Sequence, residues 1–330
     1  MPTKIYVTRQ IPKAALALLR PHGELNVWEH ETAIPRDTLL QGLRETDALL
    51  CMVTERIDED LLSHAPQLRI VANMAVGYDN VDVPALTRRG IVFTNTPGVL
   101  TETTADLAFA LVLGIARRIG EGERLVRAGQ WPTWSPFEFL GTDVHHATLG
   151  IIGLGRIGAE VAKRARGFDM RILYTNRGRN EEAEMRFNCT RVDLPTLLCE
   201  SDFVVVLVPL SLETRHLLST PQLQLMKRTA FLINAARGPI VDQQALYEAL
   251  RNGVIAGAAL DVTDPEPLPP NDPLLTLENC LIVPHVGSAS IATRMRMATL
   301  AAENIAMFLS GQRPPTPVNA EVLESISRRG

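Results

Sequence analysis

The sequence predicts an α/β protein built on two parallel sheets. Short apolar runs alternate with amphipathic stretches along nearly the whole chain of 330 residues, as in strand–helix–strand units. Runs such as "DFVVVLV" (202–208) are apolar at almost every position, which is typical of strands covered by helices on both faces. Because about ten strands would make an unusually large single sheet, we expect two doubly wound parallel-sheet domains.

The predicted strands fall into two groups, one in each half of the chain. In the first half they are "KIYV" (4–7), "DALLC" (47–51), "RIVA" (69–72) and "GIVF" (90–93). In the second half they are "TLGIIG" (148–153), "RILYT" (171–175), "DFVVVLV" (202–208), "TAFLIN" (229–234), "IAGAALD" (255–261) and "CLIVP" (280–284). A helix is expected at "PKAALALLR" (12–20), after the first strand.

Two long helical stretches divide the chain. Residues 94–129 start as a loop with proline and glycine, and we expect them to continue as one long helix from near Thr101 to about Gly129. The second stretch is 288–311. The predicted domains are therefore residues 1–99 together with 289–330, and an inserted domain of residues 100–288.

Charge and composition exclude several classes of protein. The net charge is −4 and no long basic run occurs, so we expect no nucleic-acid partner and no membrane-surface partner. The N-terminus "MPTKIYVTRQ" lacks the apolar core of a signal peptide, and no apolar stretch reaches the length of about 18 residues that spans a membrane, which predicts a cytoplasmic protein. The four cysteines are scattered and are expected to be buried thiols, with no metal site and no disulfide.

The segment "GQWPTWSPFEFLGTDVHH" (129–146) follows neither a helical nor a strand period and carries several aromatic residues. Long structured loops are often functional. It can be a surface loop with a small core of its own or an arm that packs on a second subunit. Aromatic residues are favoured in interface cores, so we expect a homodimer.

The segment "TLGIIGLGRIGAEVAKRARGF" (148–168) contains Gly153-x-Gly155-x-x-Gly158 between a buried strand and an amphipathic helix. In that context the motif indicates a dinucleotide-binding turn. The first glycine permits the tight turn, the second lets the backbone approach a pyrophosphate, and the third lets helix and strand pack closely. The helix N-terminus attracts the anion, and Arg156 can add a charged contact.

The next predicted strand ends without the acid that usually binds the adenosine ribose. In NAD-binding sites this position is Asp or Glu, whereas here Asn176 is followed by Arg177 and Arg179. A carboxylate would repel a 2′-phosphate, and arginines attract one. This pattern predicts a preference for NADP(H), with NAD(H) still possible, although two arginines in a surface loop can also be merely solvated.

Three later strand ends carry polar side chains. Arg237 lies in "LINAARGPIVD", Asp261 and Glu266 in "ALDVTDPEP", and His285 in "LIVPHVGSAS". The carboxyl ends of the strands are where doubly wound folds bind ligands. Reduction of a 2-oxo acid needs a cation to bind the carboxylate and carbonyl oxygen, and an acid to protonate that oxygen. These residues meet both needs, although a lone histidine or arginine after a strand is more often structural or solvated.

In order along the chain, "GLGRIG", "NAARG", "DVTDPEP" and "PHVGSA" resemble the D-2-hydroxyacid dehydrogenase family. The resemblance covers essentially the whole chain. The segments "RIVANMAVGYDNVD" (69–82) and "RRGIVFTNTPGVLTETTAD" (88–106) look most like those of glyoxylate/hydroxypyruvate reductases.

The resemblance implies three catalytic residues. Arg237 would bind the carboxylate and carbonyl oxygen of the substrate. His285 would be the general acid in reduction. Glu266 would hold His285 and favour its protonated form, because a nearby negative charge stabilises a cation.

The remaining site residues bind substrate or cofactor. The backbone of Ala75, Val76 and Gly77 would bind the substrate carboxylate. Trp134 corresponds to an arm tryptophan that enters the partner's substrate pocket in related reductases. The expected cofactor-binding residues are Thr104, Gly153, Leu154, Gly155, Arg156, Ile157, Gly158, Asn176, Arg177, Arg179, Ala235 and Asp261.

The resulting interpretation is a Rossmann-type cofactor domain inserted in a flavodoxin-like substrate domain. The expected reaction is the NADPH-dependent reduction of glyoxylate or hydroxypyruvate to glycolate or D-glycerate, without a metal. One alternative is an NAD(H)-linked D-2-hydroxyacid dehydrogenase for a larger 2-oxo acid. A distant alternative is a non-catalytic nucleotide-sensing protein, which would not need Arg237, Glu266 and His285 together.

Overall fold

The computed structural model describes residues 2–327 and divides into two compact units. The first unit is Met1–Leu100 with Ala289–Gly330, and the second is Thr101–Ser288. Each unit contains one sheet, of five and seven strands respectively, and every paired strand runs parallel to its neighbour. The prediction of two parallel-sheet α/β domains is therefore confirmed.

The N-terminal part of the first unit alternates strands and helices. Its strands are β1 (Lys4–Val7), β2 (Glu24–Val27), β3 (Ala48–Cys51), β4 (Ile70–Asn73) and β5 (Val92–Thr94), in the spatial order β2-β1-β3-β4-β5. Its helices are α1 (Lys13–Leu19), α2 (Arg36–Gly42), α3 (Glu59–Ser63) and α4 (Val83–Arg88). Asp58 and Asp82 begin α3 and α4 by accepting a backbone N–H with their side chains.

The second unit begins with helices α5 (Thr101–Ala116) and α6 (Ile119–Arg127). Its strands are β6 (Thr148–Ile152), β7 (Arg171–Thr175), β8 (Cys189–Arg191), β9 (Phe203–Val206), β10 (Phe231–Asn234), β11 (Gly257–Leu260) and β12 (Cys280–Ile282), in the spatial order β12-β11-β10-β9-β6-β7-β8. The connecting helices are α7 (Arg156–Arg166), α8 (Glu181–Phe187), α9 (Leu194–Glu200), α10 (Thr220–Leu225) and α11 (Gln243–Arg251). Phe203 and Val205 pack on one face of the sheet and Val204 and Val206 on the other, so both faces are core.

The chain then returns to the first unit. Helix α12 (Ile291–Leu309) packs against α1 and β4, and α13 (Ala320–Ser327) follows it. Between these helices, Asn319 is 1% exposed and bonds the N–H of Phe93 and the carbonyl of Ile91. The C-terminal segment is thus fastened to β5 by a buried amide.

Some local expectations were wrong. The long helix expected from Thr101 to Gly129 is interrupted, because Arg118 adopts a left-handed conformation (φ 53°) just before α6. The guanidinium of Arg118 donates a hydrogen bond to Glu121 in the first turn of α6. The thiol of Cys199 is exposed, whereas burial raises the pKa of Cys189 to about 11 and that of Cys280 to about 12. No helix within the described residues has both the length and the apolar character needed to span a membrane.

Strands β2 and β8 were not anticipated from the sequence. Both lie at the edge of a sheet, where one side of the strand has no neighbour. Their side chains are largely exposed or half-buried, and "ELNV" and "CTR" are correspondingly polar. A polar edge strand lacks the apolar run that marks a central one.

Candidate active site

The glycine turn joins β6 to α7 and is compact at two positions and open at one. Gly153 has a φ of 104°, and a Cβ there would lie 2.7 Å from the Val208 nitrogen. A Cβ at Gly158 would lie 2.4 Å from the Gly153 carbonyl oxygen. Gly155 is exposed, and a Cβ on it would meet no atom within 4 Å. The turn therefore leaves room for a ligand at Gly155, where α7 begins without a side-chain cap.

Three neighbouring strands bring the candidate catalytic residues to one edge of the second sheet. Asn234, Leu260 and Ile282 lie side by side at the carboxyl ends of β10, β11 and β12. The loops that follow these ends carry the residues Arg237, Glu266 and His285. Residues far apart in sequence thus share the edge where parallel sheets bind ligands.

The imidazole of His285 is hydrogen-bonded through Nδ1 to Oε1 of Glu266. The ring is 31% exposed and the carboxylate 39% exposed, so the pair is accessible from solvent. The His285 backbone N–H donates to the carbonyl of Asp261 at 2.9 Å, which fixes the loop that carries the ring. With Nδ1 engaged by a carboxylate, Nε2 is the atom that can face a reacting oxygen.

Asp261 is 3% exposed and organises the loop around His285. Its Oδ1 accepts the N–H of Val286 at 2.6 Å and its Oδ2 accepts the N–H of Gly287 at 3.0 Å. Burial raises the pKa of this carboxyl, and the two N–H donors oppose that rise. A Cβ on Gly287 would lie 3.4 Å from Cγ2 of Thr104, so the structure places Thr104 beside the same loop.

The loop that carries Arg237 is held by Asn234, a residue that sequence reasoning missed. Asn234 is 1% exposed. Its Nδ2 donates to the carbonyl of Arg237 at 2.9 Å and its Oδ1 accepts the N–H of Ala236 at 3.1 Å. Gly238 allows this loop to approach the backbone of Thr263 closely, since a Cβ on Gly238 would lie 1.9 Å from the Thr263 carbonyl oxygen. The loops after β10 and β11 therefore pack directly against each other.

In the first unit, the loop after β4 has its carbonyls fixed. The carbonyl of Ala75 accepts the N–H of Thr96 at 2.8 Å, and that of Val76 accepts Nδ2 of Asn95 at 2.9 Å. The carbonyl of Gly77 accepts Nδ2 of Asn73 at 3.2 Å. Within residues 2–327, the N–H groups of Val76 and Gly77 have no hydrogen-bond partner. The loop thus presents N–H donors.

The chain is similar to known proteins of one family. Residues 109–287 match the family model described as D-isomer specific 2-hydroxyacid dehydrogenase, NAD binding domain. The chain is 52% identical to the glyoxylate reductase of Pyrococcus horikoshii over 328 residues, covering 98% of each chain.

The chain belongs to the D-2-hydroxyacid dehydrogenase family. Among solved structures, a protein from Thermus thermophilus is 46% identical with a TM-score of 0.90, covering 96% of this chain and 100% of that one. The NADPH-dependent glyoxylate/hydroxypyruvate reductase of Sinorhizobium meliloti, in complex with NADP and malonate, is 34% identical with a TM-score of 0.84, covering 96% and 97%. This protein is accordingly an NAD(P)-dependent dehydrogenase with a Rossmann NAD-binding domain.

In this dehydrogenase, the side chain of Asn176 is bound to the glycine turn. Its Oδ1 accepts the N–H of Leu154 at 2.8 Å, and its Nδ2 donates to the Leu154 carbonyl at 3.2 Å. Asn180 donates to the same carbonyl at 2.8 Å. Asn176 therefore replaces the usual acid with an uncharged group that connects β7 to the turn.

The arginines after Asn176 differ in their surroundings. Arg177 is 90% exposed, with its guanidinium 3.8 Å from Glu213. Arg179 lies 2.5 Å from Glu184, and this hydrogen bond lowers the pKa of the Glu184 carboxyl. Sequence reasoning missed Arg191, whose Nη2 donates to the carbonyls of Asn176 at 3.0 Å and Arg177 at 3.1 Å. Arg191 is the last residue of the unanticipated strand β8, and its two hydrogen bonds tie that strand to the loop after β7.

The arm, residues 129–146, carries large exposed apolar side chains. Trp134 is 76% exposed, Trp131 61% and Phe137 85%. With part of α6, the arm lines a cavity of about 670 Å³. Arg118, which begins α6, lies over the ring of Phe139 at 4.6 Å. The role of Trp134 in a partner's substrate pocket stays a prediction.

Proposed function

We propose that this dehydrogenase reduces glyoxylate and hydroxypyruvate to glycolate and D-glycerate, with NADPH as the preferred hydride donor. The observation that carries the proposal is the His285–Glu266 hydrogen bond at the sheet edge that also bears Arg237. The P. horikoshii relative is named a glyoxylate reductase, and the S. meliloti structure a glyoxylate/hydroxypyruvate reductase. A non-catalytic nucleotide sensor would not need a positioned acid and a substrate-binding cation together.

Each catalytic residue has a defined task in this proposal. Arg237 binds the carboxylate and carbonyl oxygen of the 2-oxo acid, which stabilises the negative charge that develops on that oxygen. When bound, the nicotinamide cofactor would supply a hydride to the carbonyl carbon. His285 gives the proton on Nε2 to the carbonyl oxygen, and Glu266 stabilises the cationic ring before the transfer. The backbone of Ala75, Val76 and Gly77 binds the substrate carboxylate.

We assign the cofactor to the glycine turn and the sheet edge beside it. Gly155 and the N-terminus of α7 would receive the pyrophosphate, since space and N–H groups are both present there. Arg156, Ile157 and Leu154 belong to the same turn. Thr104, Ala235 and Asp261 would contact the nicotinamide end. The Asp261 oxygens already accept backbone N–H groups, but a carboxylate has capacity for further donors.

The preference for NADPH rests on charge around the end of β7. Asn176 carries no negative charge, and Arg177 and Arg191 place two cations at the loop. Arg179 would have to share its guanidinium between Glu184 and a 2′-phosphate, which weakens its contribution. That pairing favours the use of NADH, which belongs to the second candidate function, an NAD(H)-linked D-2-hydroxyacid dehydrogenase for a larger 2-oxo acid.

We further propose a homodimer formed through the arm and the helical stretch before it, which the structure divides into α5 and α6. The side chains of Trp131, Trp134 and Phe137 are exposed within a short stretch, and Trp131 and Trp134 line one cavity, as is typical of an apolar interface site. Trp134 would then contribute to the substrate pocket of the partner subunit.

The proposal is tested by the oxidation of NADPH and NADH by purified protein with a panel of 2-oxo acids. We expect the highest kcat/KM with glyoxylate or hydroxypyruvate and NADPH. A higher kcat/KM with a larger 2-oxo acid and NADH would favour the second candidate. No turnover with any pair would leave the sensor interpretation standing.

A further inference from the structure

A buried carboxylate organises the loop after β3 in the first unit. Glu55 is 4% exposed. It accepts hydrogen bonds from Oγ1 of Thr8 at 2.5 Å, the N–H of Met52 at 2.7 Å and Oγ1 of Thr54 at 2.5 Å. A buried charge with three donors is costly to disturb, so the backbone around Glu55 is firmly placed.

Two asparagines connect that loop to the loop after β4. Nδ2 of Asn80 donates to the carbonyls of Met52 at 3.2 Å and Glu55 at 2.8 Å. Its Oδ1 accepts Nδ2 of Asn73 at 3.3 Å, and the same Nδ2 donates to the carbonyl of Gly77 at 3.2 Å. Asn73 is fully buried. The chain of bonds therefore runs from Glu55 through both amides to the backbone of Gly77.

The direction of these carbonyls determines the direction of the N–H groups. In a planar trans peptide the C=O of one residue and the N–H of the next point opposite ways. The bonds on the carbonyls of Ala75 and Val76 therefore orient the N–H groups of Val76 and Gly77. Asn73 holds the Gly77 carbonyl and thereby orients the N–H of Tyr78. It therefore fixes the end of the loop that carries these N–H groups.

We propose that Asn73 and Asn80 are positioning residues for the substrate carboxylate, acting through the Gly77 carbonyl at the end of the Ala75–Gly77 backbone. This inference rests on the proposed function, in which that backbone binds the carboxylate. Neither side chain has to touch the substrate. Their task is to fix the end of this loop, because N–H donors held in place for an anion are worth more than the same donors on a mobile loop.

The test measures KM for glyoxylate, KM for NADPH, kcat and Tm in Asn73→Ala and Asn80→Ala. Loss of one aligned charge-assisted hydrogen bond should raise KM for glyoxylate at least about tenfold. KM for NADPH should not change, because the glycine turn is untouched. The rise in KM for glyoxylate in the double variant should be smaller than the two single rises combined, since both residues act in one network.

The chain offers a matched control in Asn319→Ala. Asn319 is a buried amide of the first unit like Asn73, but its hydrogen bonds go to Phe93, Thr87 and Ile91. The Asn319→Ala variant should have a lower Tm than the wild type, with an unchanged KM for glyoxylate. If an alanine variant does not fold, Asn80→Leu keeps the shape of the side chain, removes its donors without adding a charge, and should show the same rise in KM.

Unchanged KM for glyoxylate in the Asn73 and Asn80 variants, or an equal rise in Asn319→Ala, would overturn the inference. Wild-type protein that reduces only another 2-oxo acid would overturn the proposed substrate instead, and the same comparison is then made with that acid. The two failures are therefore distinguishable.

Discussion

Oε1 of Glu266 and Nδ1 of His285 share a hydrogen bond across two loops that follow neighbouring strands of one parallel sheet. The pairing depends on the order β12-β11-β10, which places the loops side by side. Asp261 holds the His285 loop by accepting two backbone N–H groups. The acid proposed for the reaction is thus oriented by two carboxylates with different tasks.

Glu266→Gln should lower kcat for the reduction of glyoxylate by about ten- to a hundredfold. The amide can still accept a hydrogen bond from Nδ1, so the ring keeps its place, but the charge that stabilises the imidazolium is gone. KM for NADPH should stay at the wild-type value. Steady-state kinetics at one neutral pH measures both constants, and an unchanged kcat would show that the carboxylate has no catalytic part.

Gly155→Ala should weaken the binding of both NADPH and NADH without destabilising the protein. Its Cβ would enter open space at the start of α7, where we place the pyrophosphate. KM for NADPH and for NADH should both rise, and Tm should hold. The paired variant Gly158→Ala should instead lower Tm, because its Cβ would lie 2.4 Å from the Gly153 carbonyl oxygen and such overpacking costs about 1–3 kcal/mol. A Gly155→Ala protein with wild-type KM for both cofactors would place the pyrophosphate elsewhere.

Arg177→Ala should reduce kcat/KM for NADPH much more than for NADH, by about tenfold or more if a charge-assisted hydrogen bond is lost. Arg191→Ala should act in the same direction, because its guanidinium holds the carbonyls of Asn176 and Arg177. Asn176→Asp should move the preference toward NADH. Arg171→Ala is the control, since Arg171 pairs with Glu200 at the start of β7 and should leave the ratio unchanged. Equal use of the two cofactors by every variant would mean that these arginines are only solvated.

The protein should be a dimer at micromolar concentration by light scattering. Trp131→Ser should shift it toward monomer, because the arm then loses an apolar side chain that is 61% exposed in one chain. Leu212→Ser is the control, since Leu212 is 97% exposed outside the arm and should not affect the mass. A monomeric wild type would also leave Trp134 without a partner's pocket to enter.

The sequence predicted those parts of the molecule that follow from local patterns. Central strands are apolar runs, and a parallel sheet brings their carboxyl ends together, so Arg237, Glu266 and His285 could be grouped from the sequence alone. Arg191 was missed because β8 is a polar edge strand of three residues without an apolar run.

Other features depend on contacts between distant segments. The break at Arg118 arises from a left-handed backbone and from contacts with Glu121 and Phe139, which no period in the sequence reveals. The link from Glu55 through Asn80 to Asn73 joins two loops, and each asparagine alone reads as an ordinary polar loop residue. Such networks become visible only when the tertiary structure is known.

The most direct test of the proposed mechanism is the rate of glyoxylate reduction with NADPH by wild-type protein and by His285→Ala, measured together with the affinity of each protein for NADPH. We expect the wild type to turn over and His285→Ala to lose about 10²–10⁴ in kcat, the usual contribution of a general acid, with NADPH affinity retained. A His285→Ala protein that keeps near-wild-type kcat at neutral pH would contradict the proposed mechanism.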